Sequence, residues 1–138
     1  MKKKCTVRLT DHQIEDGEKQ SVEITTQGVY EWRAGGYSLR FEELFDEGIS
    51  SETTVSSCGP GCVTVVHRGD ITTELTVELG KRHHCHYATP YGEMMLGIDA
   101  MELEDRLTEN GGTLRMVYSI DYYASVAAVK EINIEVIL

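Results

Sequence analysis

The amino-acid sequence predicts an all-β protein. Three observations support this: apolar and polar residues alternate with a period of two along most of the chain, glycine turns separate the alternating segments, and no long amphipathic helical pattern is found. Such alternation is typical of strands with one face toward a core and the other toward solvent. Some nine or ten short strands favour a closed antiparallel barrel over an open sandwich, because closure removes exposed sheet edges.

The first half of the chain supplies four alternating segments, "CTVRLT", "QSVEITTQG", "VYEWRA" and "YSLRFEELF". An acidic turn at residues 15–17 separates the first two, and Gly35-Gly36 is a hairpin signal before the fourth. The residues expected on the inner face are Val7, Leu9, Val22, Ile24, Tyr37, Leu39 and Phe41.

The second half continues the pattern with "CVTVVHR", "ITTELTVELG", "EMMLGIDA", "TLRMVYSIDYY" and "EINIEVIL". The alternation slips by one residue after Ala100, which predicts a β-bulge or a bend there. Residues expected inside are Ile71, Thr73, Leu75, Val77, Leu79, Met94, Leu96, Ile98, Ala100, Met101, Leu103, Leu107, Leu114, Met116, Tyr118, Ile120, Tyr122, Ile132, Ile134, Val136 and Leu138. "AMELEDRL", "YYASVAAVKEI" and "EELFDEG" are ambiguous, since each also allows a helical turn.

Length and charge restrict the function. A chain of 138 residues predicts one domain, residues 1–138. The formal net charge of −10 argues against nucleic-acid binding, because an acidic surface repels phosphates. No apolar stretch is long enough for a membrane-spanning helix, and no apolar segment follows Lys2–Lys4 as a signal peptide requires. We therefore expect a cytoplasmic protein with reduced thiols.

Three segments together resemble one family. "YATPYGEMMLGI", "ENGGTLRMVYSIDY" and "TQGVYEWRAGGYSLRFEE" are similar to the YwiB-like family of uncharacterised bacterial proteins, and Tyr-x-Thr-Pro-Tyr-Gly is the most specific part. The resemblance implies a single antiparallel calycin-like, lipocalin-like barrel of about eight to ten strands. That family has no established activity or cofactor, so no catalytic residue is transferred from it.

The segment "HHCH", residues 83–86, is a candidate metal site. On a strand His84 and His86 share one face, and the other two residues share the opposite face. A zinc ion would need ligands from a second segment, and Cys58 and Cys62 would complete a Cys₂His₂ set with His84 and His86. Their spacing matches no zinc finger or ribbon. The alternative is an ordinary strand with alternate residues in solvent and no cofactor.

The segment "CGPGC" predicts a hairpin with a type II turn. This connection places Cys58 and Cys62 near the distance window for a disulfide. A reducing compartment favours free thiols, so two interpretations remain: small residues at a hairpin neck, or a redox-reversible bridge.

Two further features are candidate ligand contacts. Arg40 and Glu42 share a strand face, where they form an exposed ion pair or, if the faces are reversed, a buried pair that marks a binding site. "TPYG" predicts a type I turn that places Tyr91 at a barrel corner or at a pocket lip. With His86, these residues are the proposed ligand contacts.

The leading functional hypothesis is a non-enzymatic barrel that binds a small apolar or aromatic ligand. Tyrosines, methionines and Trp32 would line its cavity with apolar bodies and a few polar tips. One alternative is a protein-interaction or structural barrel, packed solid and homodimeric. Another is a zinc-dependent or other enzyme that uses the Cys/His cluster, although no hydrolase or phosphate-binding motif occurs.

Overall fold

Ten β-strands make up the regular structure of this protein. The computed structural model describes residues 2–44, 50–69, 71–122 and 125–138, and these ranges contain no helix. The strands are β1 (Lys2–Glu15), β2 (Glu18–Arg33), β3 (Gly36–Leu44), β4 (Ser50–Gly59), β5 (Cys62–Arg68), β6 (Thr72–Glu78), β7 (Arg82–Thr89), β8 (Gly92–Asp105), β9 (Gly112–Tyr122) and β10 (Ser125–Ile137).

The strands form one closed antiparallel barrel. Each strand pairs with the next one along the chain, and β1 also pairs with β10. In this closing ladder Val7 lies opposite Val136 and Leu9 opposite Ile134, so the inner faces of the first and last strands meet. The predicted all-β barrel is confirmed. No helix in the described ranges has the length and apolarity that crossing a bilayer requires.

The turn between β1 and β2 shows how local sequence directs the meander. Asp16 and Gly17 both have positive φ angles, 51° and 77°. A two-residue loop with two positive φ angles has the twist that matches its flanking strands. Glycine adopts this conformation without steric cost, and Asp tolerates it better than most residues.

The phase slip near Ala100 is a β-bulge. Ala100 pairs with Tyr118 and Glu102 with Val117, so Met101 is an extra residue in β8. The bulge keeps Ala100 and Leu103 both packed against the core despite the odd spacing between them. The bulge prediction is confirmed, and the helical interpretation of "AMELEDRL" is wrong. Residues 125–132 are also strand, whereas residues 45–49 and 123–124 lie outside the described ranges.

One end of the barrel is filled by aromatic side chains. Tyr37 stacks on Tyr30 and Trp32, with ring centroids 6.2 and 6.4 Å apart. The Tyr30 hydroxyl donates to the carbonyl oxygen of Thr108 at 2.8 Å, and the Tyr37 hydroxyl donates to Asp105 Oδ2 at 2.9 Å. These bonds fasten the connection between β8 and β9 to the barrel wall.

Several residues expected inside are exposed because they lie near strand ends. They are Val22, Ile71, Leu79, Met94, Tyr122 and Leu138. Met101 is exposed for a different reason, since it is the extra residue of the bulge. Alternation determines the face of a strand but not how far the interior extends along it. Val22 is an example: β3 pairs with β2 only from Gly28 onward, so β3 does not cover it.

Candidate functional site

A cavity lies inside the barrel, in the half opposite the stacked rings of Tyr30, Trp32 and Tyr37. It lies toward the end at which the odd-numbered strands finish, and its volume is about 310 Å³. Ile71, in the connection between β5 and β6, lines the cavity and is 39% exposed. The cavity therefore reaches solvent at this end of the barrel.

Aliphatic side chains form half of the cavity wall. The side chains come from the inner faces of strands around the barrel, as the period-two pattern requires. They include Leu9, Val55, Val65, Leu75, Met116 and Ile132. Such a wall favours the apolar part of a small molecule over water.

An ion pair spans β1 and β10 within this wall. Lys130 Nζ lies 3.0 Å from Asp11 Oδ2, and the two side chains are 21% and 28% exposed. The second oxygen, Asp11 Oδ1, is buried and has no hydrogen-bond partner among the described residues. A buried acceptor without a donor is costly, so the ion pair leaves part of the Asp11 carboxylate unsatisfied beside the cavity.

A second set of polar side chains lies on the neighbouring strands β3, β4 and β5. Glu43 lines the cavity beside Ser51, its partner in the ladder, whose buried Oγ also has no hydrogen-bond partner in the described part of the chain. Next to them, Thr53 Oγ1 and His67 Nδ1 share a hydrogen bond of 3.0 Å. This side of the cavity can therefore both donate and accept hydrogen bonds.

Tyr118 places a phenol at the inner wall. Its pKa is raised above the ordinary value, first by burial and then by electrostatic interaction with Asp11 and Cys85. The hydroxyl thus keeps its proton at neutral pH and can serve as a neutral hydrogen-bond partner. An apolar wall with a few polar groups is an arrangement suited to ligand recognition.

A larger depression, about 410 Å³, lies on the outer surface and is a weaker candidate. Four of its charged residues form ion pairs: Arg8 lies 3.6 Å from Glu135, and Arg115 lies 3.9 Å from Glu104. Solvated ion pairs of this kind are common on protein surfaces and do not by themselves mark a site.

The structure does not bring together the four predicted zinc ligands. Cys58 and Cys62 form a disulfide with a Cα–Cα distance of 5.2 Å. The sequence analysis favoured free thiols at these two positions, because it expected a reducing compartment. His84 and His86 are exposed on the outer face of β7, and His86 Nε2 lies 3.0 Å from Glu93 Oε2. Within the described ranges no three His, Cys, Asp or Glu residues are grouped as metal ligands would be.

The predicted ligand contacts lie outside the cavity. Leu39 and Phe41 are buried, so Arg40 and Glu42 point outward from β3 and are exposed. Tyr91 is fully exposed at the connection between β7 and β8. Tyr87, in β7, lines the cavity instead.

Sequence reasoning missed the charged residues of the cavity. Asp11, Glu43, His67 and Lys130 occupy positions that the alternation assigns to the inner face. A charged residue in the inward phase of an apolar strand is costly to bury unless it is paired, so it can mark a binding site. That signal was present in the sequence.

Comparisons with known proteins bear on family and fold. The family model described as "Domain of unknown function (DUF1934)" matches residues 7–134. No curated protein matches the chain. Among solved structures, the crystal structure of the ywiB protein from Bacillus subtilis matches with a TM-score of 0.80 and 21% sequence identity, over 97% of this chain and 92% of that one. At this identity the likeness concerns the barrel fold alone.

Proposed function

The chain belongs to the family described as domain of unknown function DUF1934, as its resemblance to YwiB-like proteins predicted, and we propose that it is a non-enzymatic small-molecule-binding barrel. The observation that carries this proposal is the cavity of about 310 Å³ in one half of the barrel. Stacked aromatic rings fill the opposite half, so they close the inner end of the cavity. An apolar or aromatic ligand would enter beside Ile71.

The size of the cavity limits the ligand. A volume of about 310 Å³ equals the liquid volume of roughly ten water molecules. A molecule with on the order of ten heavy atoms therefore fits, at the lower end of the size range of ligand pockets. A long-chain lipid would extend past the rim.

A structural or homodimeric barrel is the second candidate. Large apolar side chains at Ile14, Met95 and Met101 are exposed on the outside of the barrel. Exposed apolar groups, when clustered, favour contact with another protein. Ligand binding and self-association predict different masses for the native protein, so one measurement separates them.

Native mass spectrometry of the untagged protein, purified from its own host, tests the proposal. We expect a monomer mass plus a small molecule that leaves on collisional activation. A doubled protein mass without added ligand mass supports the second candidate instead.

A pair of neighbouring variants locates the ligand. Thr73 lines the cavity, whereas the adjacent Thr72 is exposed on the outer face. Thr73→Trp should fill the cavity and abolish the added mass, and Thr72→Trp should retain it. If both variants fold and both retain the added ligand mass, the ligand binds outside the cavity.

A further inference from the structure

We propose that the cavity selects ligands with a protonated amine attached to a small apolar or aromatic body. This inference rests on the proposed function and adds the chemical class of the ligand. It follows from the charged side chains that line the cavity.

The single ammonium group among the described residues of the wall, Lys130, is already engaged. Lys130 Nζ lies 3.0 Å from Asp11 Oδ2, and both side chains are mostly buried. A ligand carboxylate would have to compete with Asp11 for this lysine. Breaking a partly buried pair leaves its other member uncompensated, which opposes the exchange.

Glu43 adds a second carboxylate that no cation in the wall neutralises. Its side chain forms no ion pair or hydrogen bond with another residue that the structure describes. Among the described residues of the wall, two carboxylates stand against one ammonium, which leaves an excess of negative charge. This charge attracts a cationic ligand and repels an anionic one.

The carboxylates of Asp11 and Glu43 favour a hydrogen-bond donor, because an ionised carboxylate only accepts. A protonated primary amine has three N–H donors and no acceptor, so it complements a carboxylate oxygen directly. The apolar wall then surrounds the remainder of the ligand.

Isothermal titration calorimetry with three matched probes tests the inference on the full chain. The probes are 2-phenylethylamine, 2-phenylethanol and phenylacetate, which share a phenyl ring and differ in the polar end. We expect the amine to bind about tenfold more tightly than the alcohol, as a hydrogen bond to a charged group contributes that much. Phenylacetate should bind most weakly.

Two adjacent glutamates provide the variant and its control. Glu43→Gln removes the charge in the cavity and should reduce amine affinity about tenfold while leaving alcohol affinity unchanged. Glu42→Gln, which alters an exposed residue on the outer face, should change neither. Thermal melts of both variants check that they are folded.

The outcomes separate this inference from the proposed function. If phenylacetate binds as tightly as the amine, if Glu43→Gln leaves the amine preference intact, or if no probe binds, the ligand class is wrong. The proposed function still stands in those cases if native mass spectrometry detects a ligand that Thr73→Trp displaces. It fails independently if that ligand mass is absent.

Discussion

Arg82 links three strands on the outside of the barrel. Its guanidinium lies 2.5 Å from Asp99 Oδ2 and forms two bonds of 2.5 and 2.6 Å with the carboxylate of Asp121. Gly97 lies directly beneath: a Cβ atom there would meet the guanidinium and approach Asp121 Oδ1 to 2.5 Å. A glycine within a strand is thus explained by the close approach of this ion pair.

Acid stability should depend on Asp121. Its hydrogen bonds with Arg82 lower the pKa of this carboxyl below the ordinary value. A carboxyl with a lowered folded-state pKa stabilises the protein above its unfolded pKa, about 3.9, and this stabilisation is lost as the pH falls through the folded pKa. We expect Asp121→Asn to be less stable at neutral pH and to show a weaker pH dependence below about pH 4.

Urea unfolding at several acidic pH values measures this effect. Asp99→Asn is the matched control, because Asp99 shares Arg82 but is much more exposed. Its effect should be smaller. Equal pH profiles for Asp121→Asn and the unmodified protein would contradict the assignment.

At the scale of elements, a disulfide between Cys58 and Cys62 stabilises the β4–β5 hairpin. Cys58 and Cys62 are separated by 4 positions, so the bridge closes a very short loop. Loop-closure entropy for a loop of this size predicts a stabilisation of ~2 kcal/mol, smaller than for a long loop. Replacing both cysteines by serine should therefore lower the free energy of unfolding modestly and leave the barrel intact.

Chemical denaturation with and without a reductant checks this prediction. The reductant should destabilise the unmodified protein by about the same amount as the double replacement, ~2 kcal/mol. It should have no effect on the double variant, where Cys5 and Cys85 remain as free thiols. Loss of a cooperative transition in the double variant would show a larger role for the bridge.

At the scale of the molecule, the barrel divides into a packed half and a half with a cavity. Tyr30 and Tyr37 belong to the packed half, whereas Tyr118 lines the cavity. Burial raises the pKa of Tyr30 to about 12, with smaller contributions from Asp105 and Cys5. Burial is also the largest cause of the raised pKa values of Tyr37 and Tyr118.

These buried phenols predict cooperative unfolding at alkaline pH. A group whose folded-state pKa is raised contributes stability below its unfolded pKa, about 10 for tyrosine, and this stability is lost as the pH rises toward the folded pKa. We expect the free energy of unfolding to decrease above about pH 10, with buried tyrosinate absorbance appearing only on unfolding.

Two phenylalanine variants test the alkaline prediction. Tyr30→Phe removes one buried phenol and should weaken the dependence of stability on pH above about pH 10. Tyr91→Phe, at a fully exposed position, is the control and should not change it. An unchanged alkaline profile for Tyr30→Phe would refute the role of that hydroxyl.

The element pattern was largely predictable from the sequence. Alternation identified most of the strands, although it divided β2 into two segments and did not assign β4. The phase slip predicted the bulge near Ala100. The cavity was predicted as a possibility of the fold, but its contacts were assigned to Arg40, Glu42, His86 and Tyr91, none of which lines it. The calycin type of the barrel rests on resemblance and stays a prediction.

Local patterns suffice for the strands and their inner faces, because side-chain direction follows from backbone geometry within one strand. They do not show which stretch of the interior is filled, because that depends on side chains from strands far apart in sequence. Only the closed barrel brings Asp11 of β1 against Lys130 of β10 and places Glu43 in the same wall. The tertiary structure therefore decided the site, and the alternating sequence decided the barrel that holds it.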